Sequence, residues 1–107
     1  MSSRRIDTVV RIRRLQVQLA SAEVARSRQD VDRAARAEHT AWHLLAERAT
    51  SRARTVDALL AERMMLAGGL THANRLADRT ATAHHHADLA IDEWRGAKLV
   101  LHIDHVN

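Results

Sequence analysis

The segment RATSRART, residues 48–55, decides how this chain folds. It is polar, and it separates two apolar patterns of almost equal length. Its Ser and Thr side chains can satisfy free backbone groups at helix ends. Thr55, followed by Val, Asp and Ala, fits an N-cap at the start of a second helix. A turn here makes an antiparallel hairpin with matched arms. The competing turn is Gly68-Gly69, because two glycines weaken a helix by roughly 1 kcal/mol each relative to alanine. A turn at the glycines would leave arms of very different length, so it is placed at about residues 50–55. The glycines then form a bendable point in the second helix.

Upstream of the turn, Val10, Val17, Val24 and Val31 recur every seven residues, and the series reaches Leu45 after a miss at Glu38. Three residues after each stand Arg13, Ala20, Ser27, Ala34, Ala41 and Arg48. Such alternating spacings of three and four form the seam of a coiled-coil helix, and the small residues admit a partner at close range. Downstream, a second seam is expected through Val56, Leu59, Leu66, Leu70, Ala73, Ala77, Thr80, His84, Ala87, Ile91, Trp94 and Leu101. Arg63 and Lys98 are its polar interruptions. The expected fold is all-α, a long antiparallel two-helix coiled-coil hairpin. A single domain of residues 1–107 is expected, with helix one at about 4–49, the turn at about 50–55 and helix two at about 56–105.

Composition agrees with long helices. The chain has no proline and only three glycines, and its 46% hydrophobic content includes just 2% aromatics. Alanine supplies much of the remainder, which suits a thin helical interface rather than a thick core. Cysteine is absent, which excludes disulfides and thiolate chemistry. No apolar run is long enough to span a bilayer, and the N-terminus lacks the apolar core of a secretory signal, so a cytoplasmic location is expected. Charge is divided: residues 1–55 carry twelve Arg against six acids, whereas residues 56–107 carry five basic residues against seven acids. Helices of opposite sign attract when folded back on each other.

Two further stripes do not belong to the seams. Ile12, Leu15, Leu19 and Ala22 lie on another side of helix one, and Leu89, Leu99, Val100 and Ile103 fall off the seam of helix two. A hairpin brings these stripes to the end that carries both termini. A two-helix fold has one interface and cannot bury them, so they are expected to meet a partner or a second copy of the chain.

The histidines offer less chemistry than their number suggests. Successive helical residues diverge by about 100°, so His84, His85 and His86 cannot share one metal ion. His39 and His43 have suitable spacing for zinc, but no third ligand is placed near them. Asp92-Glu93 is an adjacent pair that diverges on a helix, and no phosphate loop or nucleophile motif is present. Neither a catalytic residue, a cofactor nor a resident metal is expected.

Two stretches, RIDTVVRIRRLQVQLASAEVARSRQDV near the start and DLAIDEWRGAKLVLHIDH near the end, resemble the stalk proteins of type III secretion ATPases, the flagellar FliJ family and its injectisome counterparts. Trp94-Arg95 at the centre of the second stretch is the distinctive element. The resemblance implies a non-enzymatic protein-transport adaptor, cytoplasmic and peripheral to an inner-membrane export apparatus. Its terminal end would enter a hexameric secretion ATPase. The residues implied there are Arg11, Ile12, Arg13, Arg14, Leu15, Leu19, Leu89, Trp94, Arg95, Leu99 and Ile103. An export gate membrane protein would bind Met64, Met65 and Leu76, and export chaperones are further partners in that family.

Two other classes compete. Secreted helical-hairpin proteins of the WxG type are about this long, but their Trp-x-Gly sits at the central turn. Here Trp94-Arg95-Gly96 lies near the end, and mid-chain Trp42 is followed by His43-Leu44. An arginine-rich helix pair that binds nucleic acid would show salt-dependent retention on DNA. It lacks the aromatic stacking residues common in such proteins. No nucleic-acid partner is expected.

Overall fold

The structure, a computed structural model, describes residues 2–50 and 53–106. It consists of two long helices packed antiparallel, α1 (Ser2–Arg48) and α2 (Val56–Val106). Ser51 and Arg52, in the middle of the expected turn, lie outside the described residues. On either side of them the helix ends are built as their chemistry requires. The Ala49 amide donates to the Leu45 carbonyl at 2.9 Å and closes the last turn of α1. At the start of α2, the Thr55 hydroxyl accepts from the Ala58 amide at 3.1 Å. The Thr55 carbonyl takes the first helical bond, from Leu59, at 3.0 Å. This is N-cap geometry, and Asp57 in the first turn adds a favourable charge at the positive end of the helix dipole.

Gly68 and Gly69 stay inside α2, and no described glycine has a positive φ. Their role differs. A Cβ on Gly68 would meet nothing within 4 Å, whereas one on Gly69 would stand 3.0 Å from the Leu45 side chain. Gly69 is therefore a place where α1 comes close.

By its contacts the chain divides into two compact units. One comprises Met1–Asp30 and His84–Asn107 and holds the helix ends; the other comprises Val31–Ala83 and holds the turn. In the end unit, α1 contributes Val10, Arg13, Val17, Ala20, Val24 and Ser27 to the interface, as the seven-residue pattern predicts. In the turn unit it contributes Val31, Ala34, Glu38, Ala41 and Leu45, whereas Arg48, expected to end the seam, is exposed. Glu38 interrupts the apolar series, but its carboxylate accepts the Trp42 indole N–H at 3.0 Å, so the polar group is satisfied where it stands.

α2 departs from expectation at its start and in one of its two series. Val56 and Leu59, expected to begin the seam, are exposed at 72% and 39%. Leu66, Ala73, Thr80, Ala87, Trp94 and Leu101 are covered as expected. The alternate series is shifted by one residue. It runs Glu62, Gly69, Leu76, Ala83, Ala90, Ala97 and Asp104, not Arg63, Leu70, Ala77, His84, Ile91 and Lys98. Ala77 and Ile91 are half-buried flanks, while Arg63, Leu70, His84 and Lys98 are exposed. α1 presents Ala20, Ser27, Ala34 and Ala41 along one edge of its seam. At most positions the shift turns the smaller of two neighbours inward, Leu76 in place of Ala77 being the exception. In the other series Ala73 reaches 0% exposure. Thr80 sits in this seam with its hydroxyl donating to the Leu76 carbonyl at 3.0 Å, so it needs no partner on α1.

Candidate functional site

In the end unit the off-seam stripes are exposed. Ile12, Leu15 and Leu19 on α1 face away from the interface, with Leu19 64% exposed. Leu89, Leu99, Val100 and Ile103 on α2 do the same, with Leu99 at 60%. Ile6 and Val9 extend the apolar surface of α1 toward its start. Leu89 is set apart from the others by its neighbours: it lines a groove of about 410 Å³ together with Glu23, Arg26, Asp30, His86 and Glu93. Within that groove Arg26 donates to the Glu23 carboxylate. This hydrogen bond, and then the carboxylate charge itself, pushes the Arg26 pKa further above its ordinary value. The exposed apolar residues of the end unit are thus chiefly Ile12, Leu15 and Leu19 on α1 and Leu99 and Ile103 on α2.

The cations expected near this surface are not equivalent. Arg13 occupies a seam position and is half-buried, and its Nε donates to Asp104 at 2.8 Å. The same guanidinium reaches Gln16 at 3.1 Å. Arg13 therefore serves the packing of α1 on α2, whereas Arg11, Arg14 and Arg95 remain exposed. Trp94 is likewise half-buried in the seam, and the Lys98 ammonium lies 4.4 Å from its ring centroid. The indole supports the interface and orients a cation, rather than offering a free aromatic face.

A second groove in the end unit, of about 340 Å³, is lined by Arg14, Val17, Lys98, Leu101 and His102. Lys98, expected as a polar interruption of the seam, is exposed here beside His102. A signal for this groove was available. Residues 8–22 and 94–103 contain no Asp or Glu at all, although they include five Arg and Lys.

In the turn unit, Met64 is 76% exposed and Met65 is also exposed, both off the seam as expected. Leu76 corrects the expectation: it is buried, 9% exposed, and belongs to the seam. It floors a groove of about 480 Å³ that Leu44, Leu45 and Gly69 also line, with Arg36, Arg48 and His72 among its polar members. The three expected gate residues therefore do not share one surface.

His39 and His43 stack with ring centroids 6.4 Å apart, and His43 Nε2 lies 3.1 Å from Glu47. Among the described residues no three His, Asp or Glu side chains are grouped to hold a metal ion. His84, expected on the seam, is exposed beside His85 and His86. Among the described residues no helix is long and apolar enough to cross a membrane. Compared with known proteins, the chain matches no family model, no curated sequence and no solved structure.

Proposed function

We propose that the chain is a non-enzymatic adaptor of a type III protein export system, which seats its helix ends in the hexameric secretion ATPase. The observation that supports a docking role is the exposed apolar surface of the end unit. Ile12, Leu15 and Leu19 are at least half exposed, and Leu99 and Ile103 are nearly so or more. Covering each such side chain is worth roughly 1.5–3 kcal/mol at full burial, and a fold with one interface leaves that free energy available to a partner. The type of partner comes from the resemblance around Trp94-Arg95. Arg11 and Arg14 supply charge for acidic groups of that partner, while Met64 and Met65 are the exposed apolar candidates for the export gate. The adaptor would act at the membrane-proximal export apparatus from the cytoplasmic side.

Replacing Leu15 and Leu19 with Asp tests the reading. Both side chains point away from α2, so helicity by circular dichroism should be retained while co-purification with the cognate secretion ATPase is lost. Unchanged co-purification removes the docking surface from consideration. A wild-type chain that never binds the ATPase removes the export assignment. Light scattering of the free chain adds a third outcome: stable self-association abolished by the same substitutions would give the surface to a second copy.

A further inference from the structure

The two exposed sides of the end unit have different chemistry. Ile12, Leu19 and Ile103 stand two residues from a seam position on one flank of their helices, whereas Arg14 and Lys98 immediately follow seam residues on the other. On that second flank, α1 and α2 bring Arg14, Lys98 and His102 to one groove, whose remaining lining is Val17 and Leu101. No carboxylate lines it. The nearest acid in sequence, Asp104, is held by Arg13 at 2.8 Å and is therefore engaged elsewhere. Among the described residues, no acidic partner stands on Arg14, Lys98 or His102. Lys98 is positioned as well as charged, because its ammonium rests 4.4 Å from the Trp94 ring centroid. Arg11 and Arg95, one helical turn before Arg14 and Lys98 respectively, extend the positive surface.

We propose that this groove binds a phosphoryl group. Two permanent cations, Arg14 and Lys98, match the charge of about −1.5 to −2 that a phosphate monoester carries near neutral pH. The Arg14 guanidinium can take two of its oxygens side by side, and the Lys98 ammonium serves as a point charge for a third. A lone carboxylate has half the charge and two oxygens, so it would leave one cation unmatched. Val17 and Leu101 form an apolar floor that keeps water from competing beneath the bound group. The site depends on the antiparallel pairing of α1 with α2 and not on the proposed ATPase, so the two ideas stand or fall separately.

Inorganic pyrophosphate is the probe, titrated into the full chain by calorimetry at low ionic strength. One saturable site is expected. Arg14→Gln and Lys98→Gln should each weaken it about tenfold, while Arg79→Gln, an exposed arginine of the turn unit, should leave it unchanged. Circular dichroism verifies that all three variants remain helical. Equal weakening by Arg79→Gln would reduce the effect to overall charge and overturn the site, as would the absence of saturable binding. A second arm uses phosphatidic acid vesicles against phosphatidylcholine vesicles. Retention on the first alone, displaced by pyrophosphate, identifies a lipid headgroup as the source of the phosphoryl group. Saturable pyrophosphate binding without retention identifies a free phosphate ligand.

Discussion

Substituting alanine for each of the two adjacent glycines of α2 distinguishes a helix from a turn at that point. Gly68 is helical, exposed and open where its Cβ would be. Gly68→Ala should therefore return the full helix-propensity difference, about 1 kcal/mol, and raise the melting temperature by about 4 °C. Gly69→Ala receives the same benefit, but its Cβ would stand 3.0 Å from Leu45 Cδ1. Leu45 is half-buried and borders open groove space, so it can rotate away at a cost of about 0.5–1.5 kcal/mol. The two effects nearly cancel, and Gly69→Ala should lie close to wild type. Thermal unfolding followed by far-ultraviolet circular dichroism measures both. A turn at Gly68-Gly69 that used a left-handed glycine would instead lose more than about 1 kcal/mol on substitution. Destabilisation by Gly68→Ala would thus refute the placement of the turn, and equal stabilisation by both would refute the close approach of Leu45.

The shifted seam of α2 makes a second prediction. Leu76→Ala should cost about 2 kcal/mol or more, and Leu70→Ala less than about 1 kcal/mol, in chemical denaturation. The reverse order would restore the seam expected from sequence. At the start of α2, Thr55→Ala removes the hydroxyl that accepts the Ala58 amide and should cost about 1 kcal/mol. Thr55→Ser, which keeps the oxygen, should recover most of it in the same assay.

Most of the architecture was legible because α1 carries a regular valine repeat and the chain contains no proline. The repeat identified the covered face of α1 from Val10 to Leu45, and the polar segment with Thr55 located the start of α2. What misled was the choice between adjacent positions that satisfy the same spacing. Leu70 and Ile91 were assigned to the seam, and Gly69 and Ala90, one residue earlier, were passed over. The same one-residue offset put Leu76 on the surface and His84 inside. The exposed stripes of the end unit were legible from spacing, as was the separation of Met64 and Met65 from the seam. The Arg14–Lys98–His102 groove was not, because it joins residues from opposite ends of the sequence. Only the pairing of α1 with α2 brings them together.

In the end unit, an interface built on a repeat of valines and small residues has a weakness: one heptad looks much like the next. If α2 slid along α1 by seven residues, most small side chains would simply meet other small side chains. Arg13 and Asp104 break that degeneracy in the end unit, where they are joined at 2.8 Å. Displaced by one heptad, Arg13 would confront Ala97, and Asp104 would be left against Ile6, with neither charge answered. The ion pair contributes little as glue on a half-exposed surface. Its greater consequence is as an index mark, which sets the register of α1 on α2 in the end unit.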